Sequence, residues 1–134
     1  MKLLRKLAVL SLPAGLLLAA CAPAPIRSAT YVLRPAQSVK VAHGVTVTYD
    51  SFSDSRCPPN AECIWAGRLA FRFLLDGPDG DTEFTLGPDH PVETPAALQG
   101  GSIVLDPSAI PPARAGNTAR LPDALPVTLK IIPK

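Results

Sequence analysis

The cysteines are the residues whose spacing bears most directly on chemistry. The chain has three, at positions Cys21, Cys57 and Cys63. The last two form a C-x5-C pair, which differs from the C-x2-C pairs of thiol oxidoreductases and zinc ribbons. A redox site and a two-thiolate metal site are the alternatives to a disulfide, and export from the cytoplasm would favour the disulfide. Closing this short loop would stabilise a small domain by about 2.4 kcal/mol.

Histidine and carboxylate residues offer metal binding as a second possible chemistry. His43 and His90 are the only histidines, and they lack the short spacing of paired metal ligands. One acidic segment contains Asp76, Asp79, Asp81 and Glu83. Pro78 interrupts the D-x-D-x-D-G pattern that calcium loops require. Since no nucleophile elbow, phosphate loop or H-E-x-x-H motif occurs either, we predict no metal site, no cofactor and no catalytic residue.

The N-terminal residues have the pattern of a secretory signal. Residues 1–6 contain three basic side chains, and residues 7–20 are mostly apolar. This apolar stretch is shorter than the roughly 20 residues that span a bilayer. The sequence Leu18-Ala19-Ala20-Cys21 resembles the bacterial lipobox. The resemblance implies cleavage before Cys21 and attachment of a diacylglyceryl group to its sulfur. An ordinary signal peptide followed by an unmodified cysteine is the alternative.

Lipidation of Cys21 would anchor the mature protein to a membrane outside the cytoplasm without spanning it. Ala22 stands where many inner-membrane lipoproteins of Gram-negative bacteria have Asp, so the outer membrane is the expected location in such a cell. Removing residues 1–20 lowers the basic residues from 13 to 10 against 11 acidic ones, a net charge of about −1. That charge is not typical of nucleic-acid binding, so no nucleic-acid partner is expected.

The mature chain has the two-residue periodicity of β-strands. Residues 22–29, with the sequence APAPIRSA, are predicted to form an extended tether of roughly 25 Å. Residues 30–134 are predicted to form one domain, since 134 residues hold a single core. Apolar residues alternate with polar ones in about seven segments, for example at positions 45–49 and 69–75. Together with 16 prolines, this pattern predicts an all-β fold, a small antiparallel sandwich or barrel.

Three connections between the predicted strands have recognisable patterns. Residues 76–81, with the sequence DGPDGD, predict a hairpin turn. Residues 93–99 are compatible with one helical turn. Residues 107–126 contain five prolines and no periodicity, which is typical of a functional or mobile segment. Trypsin is therefore expected to cut this segment early, at Arg114 and Arg120.

The residues around the cysteine pair form a compact motif. The segment Asp54-Ser55-Arg56-Cys57-Pro58 is followed, after four residues, by Cys63-Ile64-Trp65-Ala66-Gly67. This D-S-R-C-P-x4-C-x-W-x-G pattern resembles the signature of a family of small bacterial exported proteins and lipoproteins of uncharacterised activity. The match covers all positions from 54 to 67. The resemblance implies export and a β fold, and it implies no catalytic residue.

The motif has two interpretations. In the first, it is a structural corner in which Asp54 begins a turn, the disulfide closes it, and Trp65 enters the next strand and the core. Gly67 would then allow a β-bulge or a close backbone approach. In the second, Asp54, Arg56 and Trp65 form an exposed recognition site.

These patterns predict a lipid-anchored cell-envelope protein that acts as a non-enzymatic binding or accessory module. Its contacts would be the membrane, through Cys21, and a protein or small molecule. A periplasmic metal-binding protein that uses His43, His90 and the acidic segment is the alternative. A small hydrolase assembled from scattered Ser, Asp and His residues is less favoured.

Overall fold

The computed structural model describes residues 22, 24–113 and 124–134 of the chain. Along these residues the chain forms eight β-strands. They are β1 (Ala29–Leu33), β2 (Ser38–Ala42), β3 (Val45–Asp54), β4 (Leu69–Gly77), β5 (Gly80–Leu86), β6 (Val92–Glu93), β7 (Ser102–Leu105) and β8 (Val127–Ile132). Two short 3-10 helices, Ala96–Leu98 and Pro107–Ala109, lie between strands.

The strands form two four-stranded antiparallel sheets. One sheet has the order β1-β8-β7-β6 and the other has the order β2-β3-β4-β5. The predicted all-β class is confirmed, and the two separate sheets correspond to a sandwich. The periodicity predicted about seven strands because β6 has only the two residues Val92 and Glu93, too few to show an alternation.

Strand β4 illustrates how the alternating pattern produces the core. Leu69, Phe71, Phe73 and Leu75 are buried, whereas Arg72 points to solvent from the other face. Each buried side chain of this size contributes about 1.5–3 kcal/mol through loss of apolar surface from water. The faces predicted for this strand are confirmed. The complete core consists of Leu33, Val41, Val45, Val47, Tyr49, Leu69, Phe71, Phe73, Leu75, Leu86, Leu98, Ile103, Leu105, Leu125, Val127, Leu129 and Ile131.

Aromatic rings pack together across β3, β4 and β5. The ring of Tyr49 lies 6.0 Å from that of Phe71 and 5.4 Å from that of Phe73, and Phe73 stacks on Phe84 at 5.2 Å. The prediction that Trp65 belongs to this core is wrong. Trp65 lies four residues before β4 begins, and 81% of it is exposed.

The two ends of the sandwich contain different connections between strands. At the upper end β3 meets β4, with Asp54 opposite Leu69. At the lower end a two-residue turn joins β4 to β5, with Gly77 opposite Gly80. A Cβ on Gly77 would lie 3.2 Å from the Cβ of Ala97, so the helix that precedes β7 also lies at the lower end.

Strand β1 begins at the lower end. Ser102, which follows the helix Ala96–Leu98, pairs with Ile132 at the end of β8, and the adjacent Ile131 pairs with Ala29. The predicted tether is shorter than expected, because Ile26 packs against the core. Only residues 22–25 then separate Cys21 from the packed domain, and extended residues of that number reach about 12 Å.

The predicted connections are found where the structure describes them. The hairpin turn between β4 and β5 is confirmed, and the expected helical turn is the 3-10 helix Ala96–Leu98. The long proline-rich segment begins with the 3-10 helix Pro107–Ala109 and ends with the buried Leu125. The predicted signal peptide, Cys21 and the trypsin sites Arg114 and Arg120 lie outside the described residues. None of the helices within the described ranges has the length and hydrophobicity to cross a membrane.

Candidate binding site at the corner loop

The motif residues lie in the connection between β3 and β4, residues 55–68, here called the corner loop. Its base continues the β3–β4 ladder beyond the two strands. The N–H of Ser55 donates to the carbonyl of Arg68 at 2.9 Å, and the N–H of Cys57 donates to the carbonyl of Ala66 at 3.0 Å. The two arms of the loop therefore run side by side and carry its outer part, residues 58–65 and here called the tip, away from the sandwich.

Gly67 permits this close approach of the two arms. Its φ angle is +66°, a backbone conformation that residues with a Cβ rarely adopt. A Cβ at this position would also overlap the carbonyl oxygen of Ser55. The prediction of a close backbone approach at Gly67 is confirmed.

A disulfide joins the two arms beyond the hydrogen bond between Cys57 and Ala66. Cys57 and Cys63 are bonded, and their Cα atoms are 5.9 Å apart. The predicted disulfide is therefore present. It closes the segment that contains Asn60, a residue with a φ angle of +67°. The cross-link restricts the conformations of this segment even though most of it is exposed to solvent.

An ion pair supports the loop at its base. The Nε atom of Arg56 donates to Oδ1 of Asp54 at 2.8 Å, and Nη2 donates to Oδ2 at 2.7 Å. The N–H of Arg56 also donates to Oδ1, at 3.1 Å. The two side chains are only 17% and 20% exposed, for Asp54 and Arg56 respectively. The hydrogen bonds from Arg56 hold the pKa of Asp54 below its ordinary value, and the same pairing raises the pKa of Arg56.

The same arginine connects the corner loop to the other side of the upper end. Nη1 of Arg56 donates to the carbonyl oxygen of Pro111 at 2.9 Å. Pro111 follows the 3-10 helix Pro107–Ala109, which comes directly after β7 of the opposite sheet. Arg56 therefore links Asp54, through Nε and Nη2, to the segment that follows β7, through Nη1, with three donor groups on one planar guanidinium.

The tip of the loop presents two adjacent apolar side chains to solvent. Ile64 is 94% exposed and Trp65 is 81% exposed, the two largest exposures among the large apolar residues described. Tryptophan has the largest apolar side chain, so an exposed tryptophan contributes little of the stability that its burial would provide. Exposed apolar side chains that lie next to each other are typical of an interaction surface.

The structure separates the three residues of the predicted recognition site into two roles. Asp54 and Arg56 are mostly buried and bond to each other, so they position the loop. Trp65 is available for contact at the tip. Sequence reasoning missed Ile64 as a second contact residue and Pro111 as the acceptor for Arg56. The adjacency of Ile64 to Trp65 was visible in the sequence, whereas nothing in the local pattern points to Pro111.

The residues of the alternative metal site are not brought together. His43 lies in the turn between β2 and β3, at the lower end, and His90 lies after β5, at the upper end. His90 has Glu93 at 4.0 Å as its acidic neighbour. Within residues 24–113 and 124–134, no group of three His, Cys, Asp or Glu side chains is arranged to hold a metal ion.

Comparison with known proteins finds no relative of this chain. The chain matches no protein-family model, and comparisons with curated proteins and with solved structures find no significant match. Its function is therefore inferred from its own residues and their geometry.

Proposed function

We propose that this chain is a lipid-anchored protein of the cell envelope that binds another protein through the tip of its corner loop and catalyses no reaction. The observation that carries the proposal is the exposure of Ile64 and Trp65, at 94% and 81%, on a loop that is otherwise braced. The proposed anchor is the lipid on Cys21, supported by the lipobox-like segment Leu18–Cys21. The Cys57–Cys63 disulfide suits the oxidising compartments outside the cytoplasm.

The restricted conformation of the corner loop favours binding. A flexible loop loses conformational entropy when a partner immobilises it, and this loss weakens affinity. The disulfide, the Asp54–Arg56 pair and the contact with Pro111 restrict the loop before any partner is present. Tryptophan is also the residue type that most often dominates binding energy at protein interfaces.

The shape of the tip favours a protein partner over a small molecule. Small-molecule sites are concave and enclose most of their ligand. Ile64 and Trp65 are almost entirely exposed, and side chains exposed in this way fit into an apolar cleft on another surface. A protein with such a cleft is therefore the proposed partner.

The direction of the domain argues against insertion of the tip into the anchoring membrane. The packed chain begins at the lower end with Ile26 and β1, and the corner loop projects from the upper end. With a free tether of about 12 Å, the lower end stays near the bilayer and Trp65 faces away from it. The partner would then lie in the space beyond the anchored domain.

Site-specific photo-cross-linking in intact cells tests the binding role. A photoreactive phenylalanine analogue replaces Trp65 in one strain and His43, an exposed residue of the lower end, in a matched control. The proposal expects a discrete protein adduct from position 65, lost when Ile64 is also changed to Ser, and no adduct of that mass from position 43. Equal adducts from both positions, or cross-links from position 65 to lipid alone, would overturn it.

The anchor has a separate test. Cys21→Ser is expected to abolish incorporation of labelled fatty acid and to leave the precursor uncleaved, because the lipid-modified sulfur is what the lipoprotein peptidase recognises. A variant that still partitions into detergent with an unchanged mass would contradict lipidation at Cys21. Because this experiment does not depend on Trp65, failure of the anchor and failure of the binding tip are distinguished.

A further inference from the structure

Strand β5 forms an open edge of its sheet, at a distance from the corner loop. It pairs with β4 on one side and is the last strand in the order β2-β3-β4-β5. In antiparallel pairs, alternate residues direct their N–H and C=O groups to the neighbouring strand. Since Gly77 and Gly80 close a two-residue turn, residues 80, 82, 84 and 86 face β4. Asp81, Glu83 and Thr85 therefore direct their backbone groups outward.

These outward backbone groups have no hydrogen-bond partner in the part of the chain that the structure describes. No backbone or side-chain hydrogen bond there uses the N–H or C=O of Asp81, Glu83 or Thr85. The four residues at the start of β5 are all exposed. An edge of this kind is a template on which another extended chain can pair.

A groove of about 260 Å³ runs beside this edge. One wall is β5 itself, at Thr82 and Phe84, and the other wall is formed by Thr94, Pro95 and Ala97. Phe84 and Thr82 lie opposite the inward-facing Phe73 and Leu75, so the floor of the groove continues the core face of the sheet. Alternate side chains of an added strand would enter this groove, and the others would lie on the outer face beside Asp81 and Glu83.

The outer face beside the edge is negatively charged. Asp76 and Asp81 lie directly opposite each other in the β4–β5 ladder, an arrangement of like charges that destabilises a strand pair. Among the described residues, neither carboxylate has a cation within 4.0 Å. Glu83 is paired with Arg72 at 2.8 Å. A basic side chain on an added strand would offset the repulsion between Asp76 and Asp81.

The same charges argue against a second copy of the chain as occupant. Pairing of two β5 edges around a twofold axis would place Asp81 and Glu83 of one copy near those of the other. A strand with basic residues at alternate positions would not bring like charges together. It would fill the groove with its apolar residues and place its basic residues on the acidic face.

We propose that β5 and its groove bind an extended polypeptide with alternating basic and apolar residues, by addition of a strand to the sheet. This mode of recognition combines backbone hydrogen bonds along the edge with side-chain pockets on one face. The site is distinct from the corner loop, because the groove borders the lower-end turn of Asp79 and Gly80.

A synthetic peptide tests the proposal with the full chain purified in detergent. The probe is a fluorescently labelled hexapeptide of alternating lysine and valine, and its binding is followed by fluorescence anisotropy. Saturable binding that weakens as salt rises is expected. A peptide with glutamate in place of lysine is expected to bind at least about tenfold more weakly. A peptide N-methylated at the residues facing β5 is expected to lose binding, because it cannot donate hydrogen bonds to the edge.

Variants of the protein distinguish the contribution of the backbone hydrogen bonds along β5 from that of the acidic side chains. Glu83→Pro removes an outward N–H that the ladder does not use, so the fold is expected to tolerate it at this edge position. It is expected to bind about tenfold more weakly than Glu83→Gln, which loses the same carboxylate and keeps the N–H. Asp81→Asn is expected to weaken binding about two- to fivefold and to reduce its salt dependence. Trp65→Ala is expected to bind the peptide as the wild-type chain does.

Three results would overturn the proposal. One is equal binding of the lysine and glutamate peptides. Another is undiminished binding of the N-methylated peptide, which tests the edge on the wild-type chain even where Glu83→Pro does not fold. The third is a stable dimer of the chain that Glu83→Pro dissociates, because this would assign the edge to a second copy.

Discussion

The hydroxyl group of Tyr49 donates a buried 2.9 Å hydrogen bond to the carbonyl oxygen of Leu125, 76 residues later in the chain. Tyr49 belongs to β3, and Leu125 lies two residues before the start of β8 in the other sheet. The bond therefore connects the two sheets at the point where the proline-rich segment ends. Burial of this tyrosine raises the pKa of its hydroxyl, so the proton that makes the bond stays in place across the ordinary pH range.

Tyr49→Phe is expected to lower the free energy of unfolding by about 1–2 kcal/mol. The ring remains in the core, but the carbonyl of Leu125 is left buried without a donor. Chemical denaturation followed by circular dichroism measures the change. Tyr31→Phe is the matched control, since the exposed Tyr31 hydroxyl contacts the Lys40 carbonyl only at 3.5 Å. Equal effects of the two substitutions would contradict a connecting role for Tyr49.

Trp65→Ala is expected to change the free energy of unfolding by less than about 0.5 kcal/mol, because its side chain contributes little to the core. Phe71→Ala, which removes a fully buried ring, is expected to cost about 3–5 kcal/mol. Because Trp65 is the only tryptophan, its fluorescence also reports directly on the tip. Its emission should be that of a water-exposed indole, and an apolar, quencher-resistant emission would show that the tip is covered.

Arg56→Ala is expected to lower the free energy of unfolding by about 1–3 kcal/mol. It leaves the mostly buried Asp54 carboxylate without its partner and releases the Pro111 carbonyl. Arg72→Ala provides the comparison, since Arg72 pairs with the carboxylates of Asp50 and Glu83 but is half exposed. Its loss is expected to cost less than about 1 kcal/mol. Urea titrations of both variants measure the difference, and similar costs would rule out a special role for Arg56.

A fall in pH is expected to destabilise the part of the corner loop nearest the strands, because Asp54 becomes protonated and its ion pair with Arg56 is lost. Folding lowers the pKa of this carboxyl, so its stabilising contribution is complete above the unfolded value of about 3.9 and is lost as pH falls through the folded value. The difference in unfolding free energy between the wild-type chain and Asp54→Asn should therefore be constant above about pH 5 and shrink below about pH 4. A difference that grows as the pH falls would have the wrong sign.

Replacing both Cys57 and Cys63 with Ser is expected to lower the free energy of unfolding by about 2 kcal/mol, because the cross-link restricts the unfolded chain. The β signature in far-ultraviolet circular dichroism should persist, since both residues lie outside the strands. The anisotropy of Trp65 should fall as the tip gains freedom. Unchanged anisotropy would mean that the ion pair and ladder alone hold the loop.

The positions of the longer strands and their buried faces follow from the order of the amino acids alone. Alternation along β3 and β4 identifies residues such as Val47, Phe71 and Phe73 as core, because the side chains of a strand point to opposite faces in turn. The turn between β4 and β5 follows from local residue types in the same way. The disulfide follows from cysteine spacing together with the expectation of export.

The positions of the motif residues depend on how the two sheets and their connections pack. Trp65 stands outside any alternating segment, so its burial depends on whether another element covers it, and none of the described elements does. The partner of Arg56 is Pro111, 55 residues away, and the partner of Tyr49 is Leu125, 76 residues away. Periodicity and turn chemistry act over a few neighbouring residues, whereas these contacts form only when the two sheets pack. The exposed tip and its bracing are therefore properties of the packed sandwich.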